Sequence, residues 1–330
     1  MPPMAPLMGP PPGPLTGPPL WWRLLVISAL WGSAFPMLRY ATAHMPPFAL
    51  SFARGVVAAV ALLAWAIALG ALRGLRGGFV RNDLILGTTN GWLPNVMTAT
   101  AVVTLAAASA ALIQSTAPLF VALLALVFLP EERPTPRSVA GLLLGFAGIA
   151  VILGPAALAG GAGLLAGGLM VATALSYAVG TVYVRRARPG SPVALSAGQQ
   201  VFGALGAGLL SLLFDPPAAY AQPPLVWGAA LWIGILGSAV PLTMFLALVQ
   251  RARATDAAMT GYLQPVFAAI VSAALLGEVP EARVFAGGAI VLAGVWLATG
   301  VARVAPEEGL RPPSGPPTHQ EPTGPWTRVP

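Results

Sequence analysis

Cysteine is absent from this chain, and so is lysine. Without cysteine there are no disulfides and no thiol chemistry. Histidine is nearly missing as well. His44 stands just before a Pro-Pro pair and His319 lies in a proline-rich stretch, so a metal would find few ligands. The largest deficit is charge: 8% of 330 residues are charged, where soluble domains carry roughly 25%. Hydrophobic residues make up 57%. A soluble fold could not hide that much apolar surface, so lipid is the solvent this composition fits. The net charge of +7 does not point to nucleic acid, because the arginines are scattered between apolar stretches and form no stripe. No phosphate loop is present, which argues against direct drive by ATP, and no cofactor is expected.

What is present is a pattern that occurs twice. ASAALIQSTAPLFVALLALVFLPE begins at Ala108 and TDAAMTGYLQPVFAAIVSAALLGE at Thr255. Pro265 follows Pro118, and Glu278 follows Glu131, by 147 positions each. A glycine-rich helix comes after each copy, GLLLGFAGIAVIL from Gly141 and GGAIVLAGVWLATG from Gly287. A doubled membrane unit is a common way to build a transporter.

Uncharged stretches set the number of spans. Leu84 to Pro130 is 47 residues without a charge. As one helix that is about 70 Å, more than twice a bilayer core of about 30 Å, so it folds back once. Ser138 to Val184 does the same, with its turn at Gly154–Gly163. Single spans come from Trp21–Leu38, Phe48–Leu72, Gly190–Phe214, Pro216–Gln250, Ala257–Gly277 and Val284–Ala302. The expected fold is therefore an all-α integral membrane protein of ten transmembrane helices.

With the N-terminus inside, the inner loops hold Arg73, Arg76, Arg81, Arg133, Arg137, Arg185, Arg186, Arg188, Arg251 and Arg253, and Arg23 and Arg303 flank the ends on the same side. Only Arg39 and Arg283 fall outside, which is the positive-inside pattern. Five spans per unit is an odd number, so the second unit enters the membrane upside down, giving two inverted five-helix repeats with a site near the midplane between them. The expected division is 1–19, a disordered Pro-rich tail; 20–155 and 163–304, the two repeats; and 305–330, a disordered tail, both tails cytoplasmic. The first stretch lacks a basic n-region and a cleavage site, so it does not read as a signal peptide.

LWGSAF at Leu30–Phe35, LSFARG at Leu50–Gly55 and the two helices ending P-x₁₂-E resemble the EamA-type transporters of the drug/metabolite transporter superfamily. LSYAVG at Leu175–Gly180 stands in the second unit where LWGSAF stood in the first. The resemblance runs from about Leu24 to Val304. It implies ten helices in two inverted repeats, location in the inner membrane, and export of small metabolites such as amino acids by alternating access. One departure is that small multidrug members of the superfamily use a buried glutamate in the first helix, and Trp21–Leu38 has no acid. The expected partners are a small-molecule substrate and the lipid bilayer, with no nucleic acid; a homodimer is compatible with the sequence.

Several residues are candidates for lining a substrate cavity. Arg54 is the only charge well inside a predicted span, and the acids read as lying at loop edges. At about 9 Å below the outer end it either faces a wet cavity or snorkels to the interface. Pro118 and Pro265 each free a carbonyl one turn earlier, at Gln114 and Gly261, as a shared hinge or as structural kinks. Gln114, Tyr262 and Gln264 sit beside them. Trp92 and Asn95, three apart, share a face, as do Ser176 and Tyr183. Gln199 and Gln200 bring amides into the seventh span, Gln199 being the counterpart of Arg54. With Trp31 and Tyr177 these side chains suit a neutral, hydrogen-bonding, partly aromatic chamber for a zwitterion. Trp21, Trp22 and Trp227 read as interface anchors, and the glycines at 141, 145, 287, 288 and 294 as packing seams. An intramembrane enzyme would need a nucleophile with a base, or a carboxylate or histidine cluster at depth, and the sequence offers neither. A channel or scaffold without alternating access is the other alternative.

Overall fold

The computed structural model describes residues 18–71, 79–129, 136–153, 162–187, 190–252, 257, 260–278 and 280–299. The tails, Glu131 and the turn expected at Gly154–Gly163 (apart from Ala162 and Gly163) lie outside them. The described residues are helical, with no strand among them. In chain order the elements are α1 Pro18–Thr42, α2 Pro47–Ala68, α3 Phe79–Leu86, a π-helical turn Gly87–Trp92 (π1), α4 Leu93–Ala101, α5 Ala107–Gln114, α6 Ala117–Phe128, α7 Pro136–Leu153, α8 Ala162–Ala187, α9 Pro192–Phe214, a 3₁₀ turn Pro217–Tyr220, α10 Pro224–Gly234, a second π turn Ile235–Ala239 (π2), α11 Val240–Arg251, α12 Thr260–Leu276 and α13 Ala282–Thr299. Six stretches are long and apolar enough to cross a membrane: Pro18–Thr42, Pro47–Ala68, Ala107–Phe128, Gly163–Ala187, Pro192–Phe214 and Pro224–Arg251. Leu263–Leu276 and Ala282–Gly294 are shorter apolar helices. This is a multi-pass membrane protein.

Proline and glycine punctuate the elements as their chemistry requires. Proline stands in the first turn of α2, α9 and α10, which start from non-helical backbone, so its missing N–H costs nothing there. Gly70 and Gly277 follow α2 and α12 at φ 61° and 65°, the left-handed conformation that ends a helix.

The two π turns have a common cause. Pro94 and Pro241 lie just beyond them and, like Pro118 and Pro265, are 147 positions apart. A proline at these places cannot close the helical bond to the carbonyl four residues back and clashes with it. Widening the preceding turn relieves that clash and leaves carbonyls for other partners. In π1 the helix is broken outright at Gly91, with φ −104° and ψ −108°.

Packing between helices comes in matched sets. α1 packs on α12, and α8 on α5 and α6; α1 packs on α11, and α8 on α4; α2 packs on α10, and α9 on α3 and π1. Two further pairs join corresponding helices, α2 with α9 and α7 with α13. The α7–α13 contact is backbone against backbone. A Cβ at Gly148 would lie 2.7 Å from Gly287 O, and one at Gly294 would lie 2.6 Å from Gly141 O. Gly287 and Gly294 thus allow this approach to the backbone of Gly141, Gly145 and Gly148, while Gly288 faces Leu112 of α5.

Trp21 and Trp22 are 57% and 51% exposed on α1 and face outward as anchors do. Trp227 does not. It packs in the first turn of α10 against the apolar cluster containing Val226, Ala230 and Ile233. Arg39, expected in an outer loop, belongs to the last turn of α1. It donates to Val102 O (2.7 Å) and Val103 O (2.6 Å) and pairs with Glu278 (3.4 Å), joining α1 to the α4–α5 turn and the end of α12.

Candidate functional site: a polar cavity between the helices

A cavity of ≈ 110 Å³ lies among α1, α2, π1, α4, α5, α6, α8, α9, π2, α11 and α12. Its walls carry Trp31, Arg54, Asn95, Gln114, Tyr177, Gln199 and Gln264, together with Asn90, Thr98, Thr181, Gln200, Ser238, Phe245 and Thr260.

Two cross-links organise the polar wall, and each ends on a π turn. Arg54 on α2 donates from Nε to Ser238 Oγ of π2 at 2.7 Å. Gln199 on α9 donates from Nε2 to Asn90 O of π1 at 3.3 Å. Asn90 O is the carbonyl that Pro94, four residues on, leaves without its helical donor. Arg54 and Gln199, counterparts in the two halves, thus do the same structural job with different charge. The guanidinium lines the cavity and crosses to π2. Neither ion pair found among the described residues, Arg39–Glu278 or Arg283–Glu281, involves Arg54.

Asn90 Oδ1, Gln199 Oε1, Gln200 Oε1 and Gln264 Oε1 are buried without a hydrogen-bond partner. Buried acceptors are normally satisfied; these four are enclosed, Asn90 Oδ1 against Gly180 of α8, on residues that also line the cavity. Tyr177 OH reaches Asn95 Oδ1 at 3.4 Å, across the gap between α8 and α4. The rest of the wall is apolar: Trp31 and Phe245 meet with ring centroids 5.1 Å apart, flanked by Phe35, Leu38 and Leu242.

The chain around Pro118 and Pro265 departs from strict symmetry. The first copy is interrupted between α5 and α6 at Ser115–Thr116, where Leu119 N bonds to Thr116 O at 2.9 Å. The second runs through Pro265 without a break. In both, the residue four before the proline, Gln114 or Gly261, lines the cavity. The side chain of Tyr262 lies outside the described residues.

Three expectations need correction. Trp92 does not share the cavity face with Asn95: its indole packs on Gly206 of α9. The non-helical residue Gly91 precedes both, so the spacing from Trp92 to Asn95 is itself helical; the indole is drawn aside by the room that Gly206 leaves on α9. Ser176 and Tyr183 do share a face, but their hydroxyls bond to Thr89 O (2.6 Å) and Asn82 Oδ1 (2.6 Å), and neither lines the cavity. The acids do not all lie at loop edges either, because Asp83, one residue before the span expected from Leu84, is on α3 and is 1% exposed. The sequence reading missed Asn90 and Ser238. The signal was available in the 147-residue spacing of Pro94 and Pro241, which marks both π turns.

The family comparison decides what kind of site this is. The model of the EamA-like transporter family matches twice, over residues 20–154 and 164–300. The chain belongs to the EamA-like transporter family. EamA-like relatives match over nearly their whole length. A protein of Streptantibioticus cattleyicolor named "Probable terminal-alkyne amino-acid exporter" is 34% identical over 285 residues, covering 84% of this chain and 92% of that protein. An "Uncharacterized transporter" of Archaeoglobus fulgidus is 27% identical, covering 84% of this chain and 96% of its own. The "Uncharacterized inner membrane transporter YedA" of Escherichia coli is 26% identical, with 86% and 91% covered. A solved structure titled "Crystal structure of protein" shares the fold, with a TM-score of 0.65 and 24% identity over 85% of this chain and 96% of that one. This EamA-like chain is a membrane transporter, and its family is one of transporters rather than enzymes.

Proposed function

We propose that the protein is a secondary transporter exporting a small zwitterionic metabolite, an amino acid, by alternating access in the inner membrane. The observation that carries this is one cavity whose wall holds the Arg54 guanidinium together with the amide side chains of Asn90, Gln199, Gln200 and Gln264. An α-carboxylate is matched by the fork of Arg54, and an α-ammonium by the amides. The Trp31–Phe245 side takes the apolar remainder. Tyr177, Asn95 and Gln114 complete the lining. The name of the Streptantibioticus relative agrees with an amino-acid cargo.

The helical rods are ten spans in two inverted five-helix repeats, 20–155 and 163–304, between Pro-rich cytoplasmic tails. The matched helix pairs support this arrangement, because exchanging the halves turns each set of contacts into its counterpart. So do the two π turns at equivalent places, and the arginine asymmetry across the loops supports termini inside. In the cycle, the α7–α13 glycine seam is the pivot, and the prolines of α6 and α12 are hinges.

Two measurements test the reading. Purified protein in liposomes preloaded with an unlabelled amino acid is expected to give saturable counterflow of the labelled one for some members of an amino-acid panel. Linear, conductive flux would instead identify a pore. For the hinge, Pro118→Ala restores the N–H that Gln114 O lacks and straightens the α5–α6 break. Maximal counterflow is expected to fall several-fold while the melting temperature holds or rises; an unchanged maximal rate removes Pro118 from the cycle.

A further inference from the structure

Among the described residues, Asp83 is the only charged side chain in the buried core. It belongs to α3 and faces α9, where its carboxylate lies against Gly198 so closely that no Cβ could replace the glycine hydrogen. Its Oδ1 is enclosed and has no hydrogen-bond partner. α9 brings no ionisable group to this contact, since none occurs between Pro192 and Phe214. Nor does π1, which reads GTTNGW. On α3 itself the neighbours are Arg81 and Asn82, and Asn82 Oδ1 accepts from Tyr183 OH of α8. The other ionisable groups toward this end are Arg185 and Arg186 of α8 and Arg251 of α11; no donor of any kind is bonded to Asp83 Oδ1.

An ionised carboxylate enclosed without a donor or counter-charge is strongly disfavoured. The α3–α9 contact is therefore compatible with the acid form, and the charged form requires water between the helices. That contact is mechanically joined to the cavity. Gly198 precedes Gln199, whose amide holds π1 and lines the chamber. Just beyond, Gly91 of π1 would place a Cβ 3.1 Å from Gly203 Cα, so α9 and π1 touch along their backbones. Parting the helices at Asp83 moves the Gln199–Gln200 wall.

We propose that Asp83 is the proton-binding carboxylate of a proton-coupled transport cycle. As the neutral acid it lets α3 close on α9; when the helices part it gives its proton to water on one side of the membrane, and it is reprotonated from the opposite side before they close again, so that one proton crosses per cycle. One proton is released and one bound per cycle, so the charge on Asp83 returns to its starting value. The inference rests on the transporter reading above and adds the driving ion.

The test has two arms. In the first, infrared difference spectra of the full chain in lipid nanodiscs are recorded as pH is varied. The expected result is a titrating carbonyl stretch of a neutral carboxylic acid, lost in Asp83→Asn and restored at a shifted position in Asp83→Glu. A wild-type signal that persists in Asp83→Asn overturns the proposal. In the second, liposomes showing amino-acid counterflow are given an imposed pH gradient. Wild type is expected to accumulate the amino acid, and Asp83→Asn to lose that accumulation while still exchanging. Counterflow in wild type that ignores the gradient overturns proton coupling and leaves the transporter reading standing. Absence of counterflow for every amino acid strikes the cargo assignment, and the infrared arm then decides Asp83 by itself.

Discussion

Replacing Arg54 with alanine is expected to lower the apparent affinity for a zwitterionic substrate by about 10–100-fold, the equivalent of one hydrogen-bonded charge at about 1.5–3 kcal/mol. The reason is geometric. Arg54 lines the cavity, and its Nε bond to Ser238 at 2.7 Å leaves the two terminal amino groups of the guanidinium for a ligand. Its counterpart Gln199 is neutral and cannot substitute for it. Lysine at position 54 keeps the charge but loses the planar fork, so it should recover only part of the affinity. The measurement is concentration dependence of counterflow for an amino acid and for the matching amine, which has no carboxylate. Transport of the amine should be insensitive to the change. Expression and melting temperature should also hold, because the protein loses a single hydrogen bond. Identical kinetics for wild type and Arg54→Ala would remove the arginine from substrate binding and return it to a role in helix packing.

The second large effect belongs to the α7–α13 seam. A Cβ at residue 294 would sit 2.6 Å from both Gly141 O and Gly145 N. Those are backbone atoms, which cannot rotate away as a side-chain end can, so the two helices would have to separate. Gly294→Val is therefore expected to cost at least the ~1–3 kcal/mol typical of overpacking, seen as a lower melting temperature and reduced yield of folded protein in detergent. Gly168→Ala is the contrasting change. Nothing lies within 4 Å of a Cβ at Gly168, and alanine there should be neutral or mildly stabilising. Equal melting temperatures for Gly294→Val and wild type would show that the seam does not hold the helices together.

Much of this was open to inspection in the chain. Where Arg73 and Arg76 interrupt apolar runs, helices must end, because a charge in hydrocarbon is costly and backbone groups there must bond internally. Pro118 and Pro265 announced freed carbonyls, since a missing N–H is a property of the residue itself. Gly141, Gly145, Gly287 and Gly294 announced close approach, since a hydrogen in place of a side chain lets backbones meet. The same repeat that paired Pro118 with Pro265 also paired Pro94 with Pro241, and with them the two π turns.

What the amino-acid order determined by itself is thus the membrane class, the doubled pattern and the small-residue seam, all of which follow from hydropathy and backbone chemistry that act locally. The tertiary structure alone decided which polar groups meet. Trp92 turns to Gly206 while Asn95 turns inward, because the glycine of a distant helix leaves the space that the indole fills. Arg54 finds Ser238, 184 positions away, and Asp83 is sealed against Gly198. Contacts of that kind depend on how distant helices pack, which no short-range spacing encodes.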